Sequence, residues 1–272
     1  MEIKKLKKMS NKVRGDILEY ISNAESGHPG SALSIVEILT NLYFNQMSVN
    51  PKNPNDISRD RFILSKGHGD MALYSILSRK GYFEKKQLKN YRKFGSLLQG
   101  HPEINIPGID TTSGSLGQGL SIGCGMALGA KIDKLNYISY VLMGDGELNE
   151  GQIWEAAMFA SANNLDNLVG IIDYNGLQHD GLCKSVLTMG NLLNKWNAFG
   201  WRTYYCDGHN HLELNSAFKE IKSDSSKLPK MLIAKTIKGN GVSKYENNSC
   251  SHSVHGKIEE NILNKYGRRN EK

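Results

Sequence analysis

The amino-acid sequence predicts an α/β fold in which helices cover both faces of a parallel sheet. Two observations lead to this prediction. Short apolar runs rich in Val, Ile and Leu alternate with longer segments of helical periodicity, as in parallel sheets that are buried on both faces. Glycine clusters separate these segments, and neither a proline-rich linker nor an internal repeat is present. Residues 1–272 are therefore predicted to form a single domain, with a variable segment from about residue 240.

Five segments place apolar residues three and four positions apart, which is the spacing of a helix with one buried face. Asp70 precedes one of them and is predicted to be its N-cap, because an aspartate there can accept free N–H groups of the first turn. The predicted helices are Lys4–Asn23, Ser31–Phe44, Met71–Lys80, Leu120–Lys131 and Gln152–Asn164.

Four short apolar runs have the length and composition of buried strands. They are Tyr137–Met143, Leu168–Ile172, Phe199–Tyr205 and Met231–Lys235. The first two enclose a predicted helix, so they form a right-handed βαβ unit with two parallel strands.

The composition excludes several classes of protein. Hydrophobic residues make up 39% of the chain, which is ordinary for a globular protein. The formal net charge is +7, but Lys and Arg are scattered among acids, so we expect no nucleic-acid partner, whereas small anionic ligands remain compatible. No apolar run approaches the roughly 18 residues of a membrane helix, and the lysine-rich N-terminus lacks the apolar region of a secretory signal. Four cysteines without a CxxC pair predict reduced thiols in a cytoplasmic protein.

Two oxygen-bearing side chains follow the strands of the βαβ unit. Asp145, between two glycines, follows the first strand, and Asn175 follows the second. The carboxyl ends of parallel strands meet at the edge of the sheet where ligands bind, so we expect these side chains to lie close together. A carboxylate and an amide oxygen suit Mg²⁺ or Ca²⁺ that shares its other positions with water and phosphate oxygens. A structural alternative stays open, in which Asp145 caps the next helix and Asn175 serves a turn.

A glycine-rich segment, Ser113–Gly119, opens the predicted helix Leu120–Lys131. Backbone N–H groups at such a turn bind anions well, although tight packing would also explain the glycines. The spacing matches neither the dinucleotide fingerprint nor the P-loop.

Four histidines lie beside glycine in predicted loops: His28, His68, His101 and His255. Imidazoles in such positions are accessible to a ligand and can exchange protons near neutral pH. Their spacing is not that of a compact metal site.

These features together resemble the transketolase family. Gly144-Asp145-Gly146, followed by Asn175, resembles its thiamine diphosphate fingerprint. The other stretches that look like transketolase signatures are Ser26–Gly30, Leu64–Gly69, Gly100–Glu103, Thr112–Gly119 and Gly144–Gly151. The resemblance runs from about Lys12 to Lys257 and covers only the diphosphate-binding (PP) half of the family, so the chain resembles the N-terminal subunit of a split transketolase.

The resemblance implies a role for each matching residue. Three residues would bind Mg²⁺ or Ca²⁺ through side chains or, for the last, its backbone carbonyl: Asp145, Asn175 and Leu177. The residues that would contact the diphosphate or its surroundings are His68, Gly114, Ser115, Leu116, Gly146 and Asn175. The residues that would line the substrate channel and assist proton transfer are His28, His101 and His255. Glu150 would join a buried acidic network between two active sites.

Two departures from the family pattern stand out. Ser115 replaces a proline that many members have, which should not disturb backbone contacts. The segment Tyr245–Val254 is variable and carries a second histidine, His252, so either His252 or His255 could face the site.

The implied activity is the transfer of a two-carbon ketol unit from a ketose phosphate to an aldose phosphate, in the pentose phosphate pathway. In the family, the glutamate that activates thiamine diphosphate belongs to the pyrimidine-binding (Pyr) domain. The resemblance therefore implies a separate C-terminal subunit that carries a Pyr domain, in a heterotetramer with two copies of each chain (α₂β₂), and an isolated chain that is inactive.

Three alternatives remain open at this point. The α subunit of a 2-oxo acid dehydrogenase E1 component shares the fingerprint, although four channel histidines suit a polyhydroxylated sugar better. A specialised transketolase-like enzyme could use another ketose donor. A non-catalytic module could have kept the fold without binding the cofactor, which the intact Asp145 and Asn175 disfavour.

Overall fold

The structure is a computed structural model that describes residues 1–266. Its α-helices are α1 Ile3–Ala24, α2 Pro29–Leu33, α3 Val36–Asn41, α4 Asp70–Lys80, α5 Gln118–Ile132, α6 Gly151–Ala162, α7 Cys183–Val186, α8 Leu192–Ala198, α9 His211–Ser223 and α10 Glu260–Tyr266. Its strands are β1 Ser26–Gly27, β2 Arg61–Leu64, β3 Ser139–Gly144, β4 Leu168–Tyr174, β5 Leu177–Gln178, β6 Gly181–Leu182, β7 Arg202–Asp207, β8 Lys230–Lys235 and β9 Val254–His255.

Five strands form one parallel sheet in the order β2–β3–β4–β8–β7. The predicted βαβ unit is confirmed, because β3 and β4 are neighbours and α6 connects them. Gly144 pairs with Asp173 in the register of these two strands, so the residues that follow both strands emerge together at one edge. The short strand β2 is not evident in the sequence. Two antiparallel pairs, β1 with β9 and β5 with β6, lie outside the main sheet.

Helices pack on both faces of this sheet, which confirms the predicted fold class. Successive residues of β3 point to opposite faces, as the two-residue period of a strand requires. Tyr140 and Leu142 join a core built with α1, α3, α4 and α9. Val141 and Met143 join a second core with α5, α6 and α8. Burial on both faces explains why the strands read as continuous apolar runs.

Two local predictions are wrong. The predicted helix Ser31–Phe44 is divided into α2, α3 and a π-helix, Leu42–Gln46. The chain leaves helical geometry around Ser34 and Ile35, where the Ser34 hydroxyl donates to Oδ2 of buried Asp173 at 2.7 Å. Asp70 is the first residue of α4 rather than its N-cap, which is Gly69. The Asp70 side chain turns inward and accepts the Tyr91 hydroxyl at 2.9 Å.

Two other expectations concern the whole chain. All four cysteines lie among the described residues, and all four are unpaired. Within residues 1–266, no helix has both the length and the apolar character needed to span a membrane.

Candidate active site

A cavity of about 370 Å³ lies at the edge of the sheet where β3 and β4 end. Eight of the predicted site residues line it: His68, Gly114, Leu116, Asp145, Gly146, Glu150, Asn175 and Leu177. Ser115 is exposed and does not line it. The sequence analysis did not identify four further lining residues: Lys66, Glu147, His179 and Lys238. The sheet topology therefore brings most of the predicted cofactor site together.

Asp145 and Asn175 present oxygen atoms from adjacent strand ends. Buried Asp145 accepts the N–H of Gly146 at 2.9 Å through Oδ1, and the N–H of Gly176 through Oδ2. Asn175 donates from Nδ2 to Oδ2 of Asp173 at 3.0 Å, which leaves its Oδ1 to accept the N–H of Leu177 at 3.0 Å. Buried Asp173 therefore fixes which end of the Asn175 amide is the oxygen end.

The donor set at this edge fits a hard divalent cation. Burial, reinforced by the nearby Asp173, raises the pKa of Asp145 to about 6, as expected for a carboxylate that lacks a positive partner. Asp145 also caps the short 3₁₀ helix Gly146–Asn149, so its structural role holds beside any ligand role. Residues 1–266 contain no cluster of three or more His, Cys, Asp or Glu suited to a metal. A cation here would therefore depend on amide, backbone and ligand oxygens, which Mg²⁺ and Ca²⁺ accept.

Two buried lysines border the same cavity and differ in their partners. Nζ of Lys66 lies 2.6 Å from Oδ2 of Asp173, a buried ion pair. Nζ of Lys238 lies 3.1 Å from Nδ1 of His252 and 3.5 Å from the carbonyl oxygen of Leu177, and forms no ion pair with the described residues. Burial and the Lys66 charge lower the pKa of Lys238 to about 8. Buried charges are normally paired, so Lys238 indicates that an anion belongs in this cavity.

The glycine-rich turn before α5 reaches the cavity through Gly114 and Leu116. The φ angle of Gly114 is +151°, and a Cβ atom there would lie 3.3 Å from Cδ2 of the His101 ring, so a side chain would be strained as well as crowded. The N–H of Gly117 donates to Oε1 of buried Glu147 at 2.9 Å. One N–H of the turn is therefore already used, while Gly114 and Leu116 remain at the cavity wall.

Three of the four predicted channel histidines belong to one imidazole cluster. The ring centroids of His28, His68 and His252 lie 5.2 to 5.6 Å apart. His101 lies 6.4 Å from His28, and His179 lies 4.9 Å from His252. Burial and the Arg92 guanidinium lower the pKa of His28 to about 3, and burial and the Lys238 ammonium lower that of His252 to about 4. Both rings are therefore neutral at pH 7 and can donate one hydrogen bond and accept another.

The structure differs from the sequence prediction at two residues. His255 is exposed, belongs to β9 opposite Ser26 of β1, and does not line the cavity, whereas His252 does. Glu150 lines the cavity but is exposed, and the buried acid of this region is Glu147. Glu147 accepts the N–H groups of Gly117 and Gly144 and the Ser65 hydroxyl.

A cation site and an unpaired ammonium group in one cavity at the edge of a parallel sheet define a class of α/β proteins that bind a metal and a diphosphate. The family model described as "Transketolase, thiamine diphosphate binding domain" matches residues 5–265. This chain belongs to the transketolase family of transferases, and it is the thiamine diphosphate-binding domain of that family.

Similar proteins include both short subunits and longer enzymes. One of the two subunits of the apulose-4-phosphate transketolase of Phocaeicola vulgatus is 44% identical over 246 residues, which cover 90% of this chain and 87% of that protein. The 6-deoxy-6-sulfo-D-fructose transketolase subunit SqwG of a Clostridium species is 44% identical over 92% of this chain and 90% of its own length. The solved transketolase of Campylobacter jejuni has a TM-score of 0.93 and 33% identity, over 99% of this chain but 43% of that one. The chain thus spans less than half of such a full-length transketolase.

Proposed function

We propose that this chain is the thiamine diphosphate-binding subunit of a two-chain transketolase, which moves a two-carbon ketol unit from a ketose phosphate to an aldose phosphate. One observation carries the proposal: the cavity holds a buried acid, Asp145, without a positive partner and a buried ammonium group, Lys238, without a negative one. A divalent cation together with a diphosphate would satisfy both charges.

The residues of the cavity divide between cation and diphosphate. Asp145, Asn175 and the carbonyl of Leu177 would hold Mg²⁺ or Ca²⁺. Lys238, His68 and the N–H groups around Gly114, Leu116 and Gly146 would bind the diphosphate oxygens. When bound, thiamine diphosphate supplies the nucleophilic carbon that adds to the ketose carbonyl and carries the two-carbon unit.

The imidazole cluster would handle the protons of the sugar. His28, His101 and His252 are close enough to one another to contact neighbouring hydroxyl groups of one polyol. Because His28 is neutral, with Nδ1 3.2 Å from Nη2 of Arg92, its Nε2 carries the proton and can donate it to a substrate oxygen. His255 would act on substrate only from the rim, since its side chain is exposed.

A separate companion chain with a Pyr domain would complete the enzyme. The two relatives that are named as subunits are matched over 87% and 90% of their length, which supports a two-chain organisation. The segment beside the site exposes Leu182, Val186 and Leu187, an apolar surface suited to such a partner.

A second apolar surface supports the α₂β₂ arrangement. Met158 and Phe159 of α6 are exposed, and a Cβ atom at Gly125 or Gly129 of α5 would meet nothing within 4 Å. A helix that is apolar on its outer side is normally covered, and a second copy of this chain would cover both helices. Glu150 would become buried only through contact with another chain.

A donor outside the pentose phosphates is a second candidate. The two subunits that are 44% identical are named for apulose 4-phosphate and for 6-deoxy-6-sulfo-D-fructose. The transketolase family favours either donor class over the 2-oxo acid dehydrogenase alternative.

The proposal is tested by reconstituting this chain with the companion encoded beside it. We expect calorimetry to show Mg²⁺-dependent binding of thiamine diphosphate, and a panel of ketose donors to show ketol transfer by the complex but not by this chain alone. Absence of cofactor binding by the complex would refute the proposal. Turnover of pyruvate with a dye acceptor would favour the dehydrogenase, and turnover by this chain alone would remove the need for a partner.

A further inference from the structure

The turn after β8 carries Lys238 into the cavity, and a histidine outside the cavity holds its backbone. Thr236, the first residue of this turn, donates its N–H to the carbonyl of Tyr174 at 3.1 Å. The N–H of the next residue, Ile237, donates to Nε2 of His209 at 2.8 Å. Lys238 follows directly, so this bond fixes the backbone from which the Lys238 side chain extends.

His209 is held in turn by a buried ion pair. It lies between β7 and α9, and its Nδ1 is 3.0 Å from Oε2 of Glu37. Glu37 is buried and also binds Nη2 of Arg14. The amide nitrogen of Asn240 lies 3.0 Å from the same Nδ1. His209 therefore connects the α1–α3 layer to the turn that carries Lys238.

The two partners of His209 determine its tautomer. A backbone N–H can only donate, so Nε2 must be the unprotonated ring nitrogen when it accepts from Ile237. The ring proton then sits on Nδ1, where the carboxylate of Glu37 accepts it. A carboxylate that sets the tautomer of a histidine, and thereby the acceptor on its other side, is a common supporting arrangement at functional sites.

We propose that His209 is a positioning residue for cofactor binding: by accepting the N–H of Ile237, it keeps the ammonium group of Lys238 in the cavity. The inference rests on the proposed function, in which Lys238 binds the diphosphate. Lysine has a long and flexible stem, so its direction depends on where its Cα is anchored. His209 itself does not line the cavity, and it acts only through the turn.

Two substitutions at the same position separate the two hydrogen bonds of His209. In His209→Gln, the side-chain oxygen can reach the place of Nε2 and accept from Ile237. In His209→Asn, the shorter side chain reaches only the place of Nδ1. In the complex with the companion chain and saturating Mg²⁺, we expect His209→Asn to weaken thiamine diphosphate binding about tenfold and His209→Gln by no more than about twofold, since one hydrogen bond is at stake. At saturating cofactor, kcat should be unchanged in both.

A double substitution tests whether the effect passes through Lys238. In a Lys238→Met background, His209→Asn should cause no further loss of affinity, because no ammonium group remains to be positioned. Equal losses for the Asn and Gln variants, or a full additional loss in the Lys238→Met background, would overturn the inference.

Two further measurements keep the outcome decisive. If the Asn variant does not fold cooperatively, the ¹⁵N shifts of the His209 ring in the wild-type complex decide: a proton on Nδ1 supports the inference, and a proton on Nε2 overturns it. The wild-type complex is the control for the proposed function. Failure of the wild type to bind thiamine diphosphate refutes that function, whereas normal binding by both wild type and His209→Asn refutes only the positioning role.

Discussion

Two regions of the molecule border the cavity, and they are built in different ways. At the ends of β3 and β4, Asp145 and Asn175 come together because neighbouring strands end there, and they bind backbone N–H groups close in sequence. Lys238 and His252 lie instead on a segment that follows β8 and is held by distant parts of the chain. The N–H of Gly239, for example, donates to the carbonyl of Gly30 at 3.0 Å. Sheet topology places the first region, and tertiary contacts place the second.

The difference also concerns charge. The strand ends hold an acid whose pKa is raised to about 6 by burial and Asp173, and the later segment holds a lysine whose pKa is lowered to about 8 by burial and Lys66. Each region lacks the charge that one part of a metal–diphosphate ligand would bring. Substitutions in the two regions should therefore weaken the same ligand for opposite electrostatic reasons.

The largest effect is expected at the strand ends. Asp145→Asn removes the only carboxylate of the proposed cation site, so thiamine diphosphate affinity in Mg²⁺ should fall on the order of a hundredfold or more. Calorimetry on the complex measures this loss. The matched control is Asp133→Asn, because Asp133 is exposed at the end of α5 and should leave the affinity unchanged. Wild-type affinity in Asp145→Asn would remove the first region from the proposed site.

Lys238→Met tests the second region. Loss of a charge-assisted contact to an anion should weaken cofactor binding about thirtyfold. The cofactor-free protein should unfold at the same urea concentration or a higher one, because an unpaired buried charge is removed. Lys244→Met is the control, since Lys244 is exposed on the same segment. Unchanged cofactor affinity in Lys238→Met would show that the diphosphate does not meet this ammonium group.

The sequence predicts the first region because a βαβ unit brings two strand ends together whatever surrounds them. The same rule applies to Lys238, which follows the predicted strand Met231–Lys235, but the position of that strand next to β4 is not written in a single sequence. The choice between His252 and His255 depends on the pairing of β1 with β9, which is too short to give a periodic signal. Long-range contacts of single residues therefore limit the prediction.

Gly30 shows how close the second region packs on the rest of the molecule. A Cβ atom at Gly30 would collide with the hydroxyl of Ser251 and approach its carbonyl oxygen to 2.7 Å. Gly30→Ala should therefore cost about 2 kcal/mol of unfolding free energy through overpacking. Urea unfolding measures this cost, and adding Ser251→Gly should recover only part of it because the carbonyl remains. Gly151→Ala is the control, since its Cβ would meet nothing within 4 Å. Equal stability of Gly30→Ala and wild type would show that this segment is loosely held.

The imidazole cluster should make the second region sensitive to acid. The pKa of His28 is lowered to about 3 by burial and Arg92, so the unfolded chain binds a proton more readily than the folded one. Its contribution is constant above the unfolded value near 6.5, and stability is lost below it by about 1.4 kcal/mol per pH unit. His28→Gln should remove this slope between pH 6 and pH 4 in urea unfolding. His255→Gln, at an exposed site, should retain it. Parallel slopes for His28→Gln and wild type would contradict the prediction.

The smallest effect distinguishes the two histidines of the later segment. His252 accepts from Nζ of Lys238 at 3.1 Å and lines the cavity, whereas His255 is exposed beside it. His252→Ala should weaken thiamine diphosphate binding about fivefold, the value of one hydrogen bond, because Lys238 loses the acceptor that holds it at the cavity wall. His255→Ala should leave this affinity unchanged, and it therefore serves as the control in the same titration. The opposite result, a loss in His255→Ala alone, would mean that the segment binds the cofactor through the residue that the sequence predicts, and that β9 separates from β1 in the working enzyme.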